Sequence, residues 1–257
     1  MRVCPPQRPF RTDPGITVMP DTFFAADVHL GLDSSRRQQT FVDFLAHVSS
    51  RGGNLYLLGD FFDFWANNRA VLRSMLPVLE RLRELSAAGA AVGFIYGNRD
   101  FLVPSATLEP FGITFLGEQA DIVLGSQRVH VTHGYTLCLN DAPFLAYKRI
   151  MWPVFRMLDR LLPGAVANYL VRTLVLKSKD PGAQKQAPGT RFHFTRDAIE
   201  AHFKRGIDAV ICGHTHAEES FSSGGRQFFA LGSWDDTLGP YLVHRDGAFI
   251  RETFAAT

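Results

Sequence analysis

Leu55-Tyr56-Leu57-Leu58-Gly59-Asp60-Phe61-Phe62-Asp63 decides how this chain is read. Four consecutive large apolar residues are too few for a helix and suit a strand buried on both faces. The glycine and aspartate that follow stop the run and set a carboxylate at its end. The same grammar recurs on either side. Upstream, Thr22-Phe23-Phe24-Ala25-Ala26 leads into Asp27-Val28-His29; downstream, residues 91–96 lead into Gly97-Asn98-Arg99-Asp100. Helical spacing fills the gaps. Phe41, Phe44, Leu45 and Val48 make one apolar face, with Ser34 or Ser35 as its cap and Gly52 as its stop. Val71, Leu72, Met75, Leu76, Val78, Leu79, Leu82 and Leu85 make another, closed by Gly89. This alternation predicts right-handed crossovers and a largely parallel sheet covered by helices.

The second half is different. Residues 121–131 read as a hairpin turning at Gly125-Ser126, and residues 207–212 as a short buried strand. Gly224-Gly225 and Asp246-Gly247 signal two more hairpins. Residues 143–176 are helical in spacing and very apolar. The expected fold is therefore α/β: a two-sheet mixed β-sandwich flanked by helices, with a helical lid insertion at about residues 142–191. Residues 1–20, with four prolines before Gly15, read as a loose leader in which Met19 offers an alternative start. Residues 21–257 form the domain, and no internal repeat is visible.

Composition narrows the class of protein. Of 257 residues, 46% are hydrophobic, which excludes a disordered chain. The longest stretch free of Asp, Glu, Lys and Arg, residues 85–98, contains three glycines and is too short to span a membrane. No apolar segment follows the N-terminal arginines, so no secretory signal is read. Cys4, Cys138 and Cys212 are odd in number and far apart, which fits a reducing cytoplasm. A net charge of +2 is too small for a general nucleic-acid binder.

The polar residues carry the functional signal. Besides the three strands above, residues 121–131 lead into His133-Gly134, and Val210-Ile211-Cys212 lead into Gly213-His214-Thr215-His216. Five apolar strands thus each deliver Asp, Asn or His at the carboxyl end, where open α/β sheets place ligands. Asp27 and His29 are two apart, as are His214 and His216, so extended backbone would point each pair to one side. Glycines 59, 97, 134 and 213 would permit sharp turns and leave room for a phosphate. Carboxylate, amide and imidazole donors without a thiolate cluster suit manganese, iron, zinc or similar ions. Seven candidate ligands exceed the needs of one tetrahedral ion and fit two ions about 3.5–4 Å apart sharing a carboxylate.

These motifs, in this order, resemble the calcineurin-like metallophosphoesterase superfamily, whose pattern is D-x-H, G-D-x-x-D, G-N-H/R-D/E, H and G-H-x-H. The resemblance implies a metal-dependent phosphoesterase. Asp27, His29, Asp60 and His216 would hold one ion, and Asp60 (bridging), Asn98, His133 and His214 the other. Catalysis would rest on Asn98, Arg99 and His133, with water activated between the ions attacking phosphorus in line. Where many members carry His after the Asn, this chain has Arg99. A permanent guanidinium grips phosphate but donates no proton, which suits a leaving group that needs none. The plain alternative for Arg99 is a surface salt bridge with Asp100.

Gly97-Asn98-Arg99-Asp100-Phe101-Leu102, the segment from Leu58 to Trp65, and His133-Gly134-Tyr135-Thr136-Leu137-Cys138 resemble the UDP-2,3-diacylglucosamine hydrolases of lipid A synthesis. Tyr135 stands where that family usually has Asp. The resemblance implies manganese, a nucleotide-linked acylated sugar as substrate, and a cytoplasmic location at the inner membrane. It also implies substrate contacts from Asn98, Arg99, Asp141, Ser178 and Lys185, with Lys179 or Arg172 as substitutes in the insertion.

The insertion adds its own evidence. His133 and His214 stand 81 positions apart, and the segment between is dense in large apolar residues interleaved with Lys148, Arg149, Arg156 and Arg160. Such a segment reads as an apolar lid with a basic rim, able to take acyl chains and lie on an anionic membrane; the plainer reading is a helical hairpin packed on the sheet. Residues 142–191 hold nine Lys/Arg against two Asp/Glu, a local charge of +7 that leaves the rest at −5. A monomer acting on a lipid-bearing anion, without nucleic acid, is the expectation. Other phosphodiesterases, nucleases or phosphatases of the superfamily are the competing enzymes. Non-catalytic scaffolds of this fold typically lose histidine ligands, and here none is lost.

Overall fold

A computed structural model of the chain describes residues 19–32, 34–63, 65, 69–138, 142–161, 166 and 193–256. In the first sheet β1 (Thr22–Ala25), β2 (Asn54–Leu58), β3 (Val92–Ile95) and β4 (Ile113–Gly117) run parallel. The hairpin of β10 (Leu238–Arg245) and β11 (Ala248–Ala255) extends it antiparallel beyond β1. The second sheet has the order β5 (Gln119–Leu124), β6 (Gln127–Thr132), β7 (Ala209–Cys212), β9 (Arg226–Ala230), β8 (Glu219–Ser223). Its centre, β6–β7–β9, is parallel and its flanks are antiparallel. These hairpins turn where the sequence predicts, at Gly125-Ser126, Gly224-Gly225 and Asp246-Gly247.

Period-two alternation with both faces covered explains why β1, β2, β3 and β7 are buried at every position. Phe24, Tyr56, Leu58 and Ile95 meet Val129, Val131 and Ile211 between the sheets. Phe23, Leu57 and Phe94, the intervening positions, point outward to α1 (Ser35–Ser50) and α2 (Arg69–Ala87). On the second sheet Val210, Cys212 and Phe228 pack under α5 (Arg196–Lys204). Ser34 stands at the start of α1, but its Oγ accepts from Gly31 N at 2.6 Å instead of capping the first turn.

Between the sheets' strands lie a short α3 (Ser105–Leu108) and the 20-residue α4 (Ala142–Leu161). The remainder of the expected insertion, and residues 1–18 of the expected leader, lie outside the described residues. One side of α4 packs on the body. Trp152 stacks on Phe101 with ring centroids 4.2 Å apart and planes at 7°, and meets Tyr135 edge-on at 5.6 Å. Phe155 joins the same cluster. Lys148 and Arg156, expected at the basic rim, turn inward: Lys148 pairs with Glu118 above the Tyr135 ring, and Arg156 lies over Tyr96. On the other side Ile150 is 67% and Leu161 73% exposed.

The two sides therefore differ in what they contribute to folding. Phe155→Ala should cost about 3–5 kcal/mol, whereas Ile150→Ala should stay within about 0.5 kcal/mol. Urea unfolding of both variants measures this, and equal losses would show that α4 has no distinct inner face.

Candidate metal centre

Strands β1, β2 and β3 of one sheet and β6 and β7 of the other end at a common rim. The loops after β1 and β2 continue as a pair beyond their strands. Asp27 N donates to Gly59 O at 3.1 Å, His29 N to Asp60 O at 2.9 Å and Leu30 N to Phe61 O at 2.8 Å. Two further bonds join the sheets at this point. His133 Nδ1 donates to Leu58 O at 2.9 Å, and His214 N donates to Asp27 Oδ2 at 2.8 Å.

The backbone there is not extended, contrary to the spacing argument. Asp27, His29, Asp60, His214 and His216 all adopt positive φ, between 49° and 80°. Side chains two apart converge here because the chain turns left-handed at each of them, not because a strand alternates. Such conformations cost of order 1–3 kcal/mol each. They persist because the surrounding hydrogen bonds fix both the loops and the side chains.

The glycines serve the ligands themselves, where the sequence suggested space for a phosphate. A Cβ on Gly97 would lie 2.3 Å from Asp60 Oδ1, and one on Gly213 would lie 2.2 Å from Asp27 Oδ2. Each of these two glycines makes room for one buried carboxylate.

The seven predicted ligands come together in two adjoining groups. In one, His29 Nε2 and His216 Nε2 face each other at 3.1 Å, and Asp27 Oδ1 lies 3.3 Å from His216 Nε2 and 3.8 Å from His29 Nε2. In the other, Asn98 Oδ1 lies 3.0 Å from His133 Nε2 and 3.1 Å from His214 Nδ1, with Asp60 Oδ1 3.7 Å from His133 Nε2. Asp27, Asp60 and His133 also converge, so Asp27 touches both groups as Asp60 was expected to do. The donor set fits divalent cations. Asp27 Oδ1 is buried without a hydrogen-bond partner among the described residues. His133, bound through Nδ1–H to a carbonyl, presents its Nε2 lone pair to the centre, the arrangement usual for a metal-ligating histidine.

Electrostatics point the same way. Burial holds His29 and His214 down to about 3, so both are neutral at pH 7 with lone pairs available. Burial also raises the Asp60 carboxyl, with the neighbouring Asp27 adding to it. At Asp27 the upward push of burial is outweighed by His216 and the other imidazoles. At His133 burial pulls downward, but the charges of Asp60 and Asp27 raise it on balance. Two buried acids that favour positive charge beside them form a site suited to a cation.

Arg99 differs from its plain reading. Its guanidinium pairs with Asp63 (Nη1–Oδ1, 2.7 Å) and lies 3.5 Å from Asp60 Oδ2 through Nε. Asp100 instead is fully buried and accepts from Gly97 N at 2.6 Å, Phe61 N at 2.8 Å and Phe62 N at 3.3 Å. Its carboxyl is pushed up to about 7 by burial and then by Asp60. Asp100 thus ties the Asn98 loop to the Asp60 loop. The sequence reading assigned no role to Asp63 or Asp100; both are fixed letters of the motifs, the signal that could have marked them. Asp141, Ser178 and Lys185 lie outside the described residues.

A methyl group at Gly97 must displace Asp60. Gly97→Ala is expected to weaken Mn2+ uptake about 10–100-fold, read as metal retained per chain after dialysis; full retention would show that Asp60 is free to move.

Comparison with known proteins fits this geometry. A family model described as calcineurin-like phosphoesterase matches residues 22–218. A protein of Nitrosococcus oceani named UDP-2,3-diacylglucosamine hydrolase is 32% identical over 220 residues, covering 83% of this chain and 87% of that protein. One of the same name from Neisseria gonorrhoeae is 29% identical over 234 residues, covering 90% and 97%. The family match runs from β1 to β7 and takes in every loop that carries a predicted metal ligand, and so the chain belongs to the calcineurin-like phosphoesterase family.

Proposed function

We propose that the protein hydrolyses the pyrophosphate of UDP-2,3-diacylglucosamine to UMP and the diacylated sugar phosphate, lipid X, using two Mn2+ ions. The observation that carries this reading is the convergence of Asp27, His29, Asp60, Asn98, His133, His214 and His216 at one rim, in a chain whose relatives of that name align over nearly their full length. Divalent ions there would supply charge to the phosphate oxygens and lower the pKa of water.

The residues then have distinct tasks. Asp27, His29, Asp60 and His216 would hold one ion, and Asp60, Asn98, His133 and His214 the other. His133 keeps its proton on Nδ1, toward Leu58 O, so that Nε2 stays directed at the centre. Arg99 holds a phosphate oxygen without giving up a proton, which suits departure of a nucleoside monophosphate. Asp141, Ser178 and Lys185 complete the substrate contacts in this reading.

The outer face of α4 supports the lipid part. Ile150, Val154, Met157 and Leu161 recur at intervals of four, three and four and are all exposed, one apolar stripe along a helix. Arg149 is exposed beside it. This face serves as a lid for acyl chains and rests on the anionic cytoplasmic surface of the inner membrane, the protein acting as a monomer. No described helix is long and apolar enough to cross a membrane.

Incubation with UDP-2,3-diacylglucosamine and Mn2+ should release UMP and lipid X, followed by mass spectrometry. Asp60→Ala and His133→Ala should abolish release while circular dichroism stays native, and turnover that survives exhaustive chelation would sink the metal mechanism. Replacing Ile150 and Leu161 together by Ser should lower turnover of the diacylated substrate about tenfold or more and leave a soluble chromogenic phosphodiester almost unaffected. Equal losses on both substrates would refute the acyl-binding lid.

A further inference from the structure

Asp63 closes the segment that begins at Leu55, and the backbone carries it to the neighbouring loop. Its N–H donates to Leu30 O at 2.9 Å, and Leu30 and Phe62 form a parallel bridge. The side chain consequently stands between two groups of the centre. Its Oδ1 accepts from Arg99 Nη1 at 2.7 Å and lies 4.0 Å from His29 Nδ1. That nitrogen is buried and has no hydrogen-bond partner among the described residues. A histidine that ligates through Nε2 keeps its proton on Nδ1, and that proton is almost always given to a carboxylate, a carbonyl or water. Asp63 is the carboxylate within ion-pair distance of that nitrogen.

We propose that Asp63 is a positioning residue for His29: its carboxylate accepts the Nδ1–H of that ring, which keeps Nε2 directed at the centre. This rests on the metal-centre reading above. A plain surface ion pair between Asp63 and Arg99 would explain the 2.7 Å contact but would leave metal affinity unchanged, since exposed pairs contribute little. The two explanations therefore separate at His29.

The test measures Mn2+ binding to the full chain by electron paramagnetic resonance of the free ion. Asp63→Ala should weaken Mn2+ binding about 10–100-fold. Asp63→Asn, which keeps an acceptor oxygen, should recover most of the metal affinity, and it carries the test if the alanine variant fails to fold. In an Arg99→Ala background Asp63→Ala should still weaken Mn2+ binding, because the His29 contact does not pass through the arginine. Mn2+ affinity within twofold of the parent in every variant overturns the inference while leaving the metal centre standing. A parent protein that binds no Mn2+ overturns the metal-centre reading itself, and this inference with it.

Discussion

Two carboxylates with almost no exposure, Asp27 and Asp60, lie side by side where the two sheets meet. Placing ionised acids in such surroundings costs several kcal/mol per charge unless partners compensate. Much of the rim can be understood as that compensation. Backbone N–H groups of His214 and Arg99 each give a hydrogen bond to one of the acids, Arg99 adds its guanidinium, and imidazoles crowd the oxygens that remain. A compact divalent charge would complete the balance, because the acids and the imidazole nitrogens converge closely enough to share it.

The same constraint explains the backbone. A carboxylate buried beside a neighbouring strand needs that strand to come within hydrogen-bond range, so the flanking residue must lack a Cβ, as at Gly97 and Gly213. The chain must also reverse within two residues of leaving the strand, which explains the left-handed turns at Asp27, His29 and Asp60. Local strain is here the means by which five short strands aim their ends at one point.

Much of this was legible in the sequence. Apolar runs ending in Asp, Asn or His gave the strands, their direction and the shared rim, because burial on both faces leaves a strand no polar residue until it ends. The pairing of sheets was legible from the change of strand grammar after residue 120. Backbone conformation was not: spacing of two suggested alternation, and nothing in the letters of Asp27-Val28-His29 distinguishes extended from left-handed chain. Partners of a charge were equally hidden. Arg99 and Asp100 are adjacent in sequence yet serve different loops, since the carboxylate turns inward to three backbone donors while the guanidinium turns to Asp63.

The seating of α4 has a structural consequence. Its described contacts with the body run from Tyr147 and Lys148 to Phe155 and Arg156, about half of a helix about 30 Å long. Leu161 lies about 9 Å beyond Phe155, in solvent. The seat of the helix includes Phe101, and Phe101 follows Asp100, the carboxylate that clasps the Asp60 and Asn98 loops together. One dipeptide thus serves two neighbours at once, its ring carrying the inner face of the helix and its carboxylate closing the loops beneath.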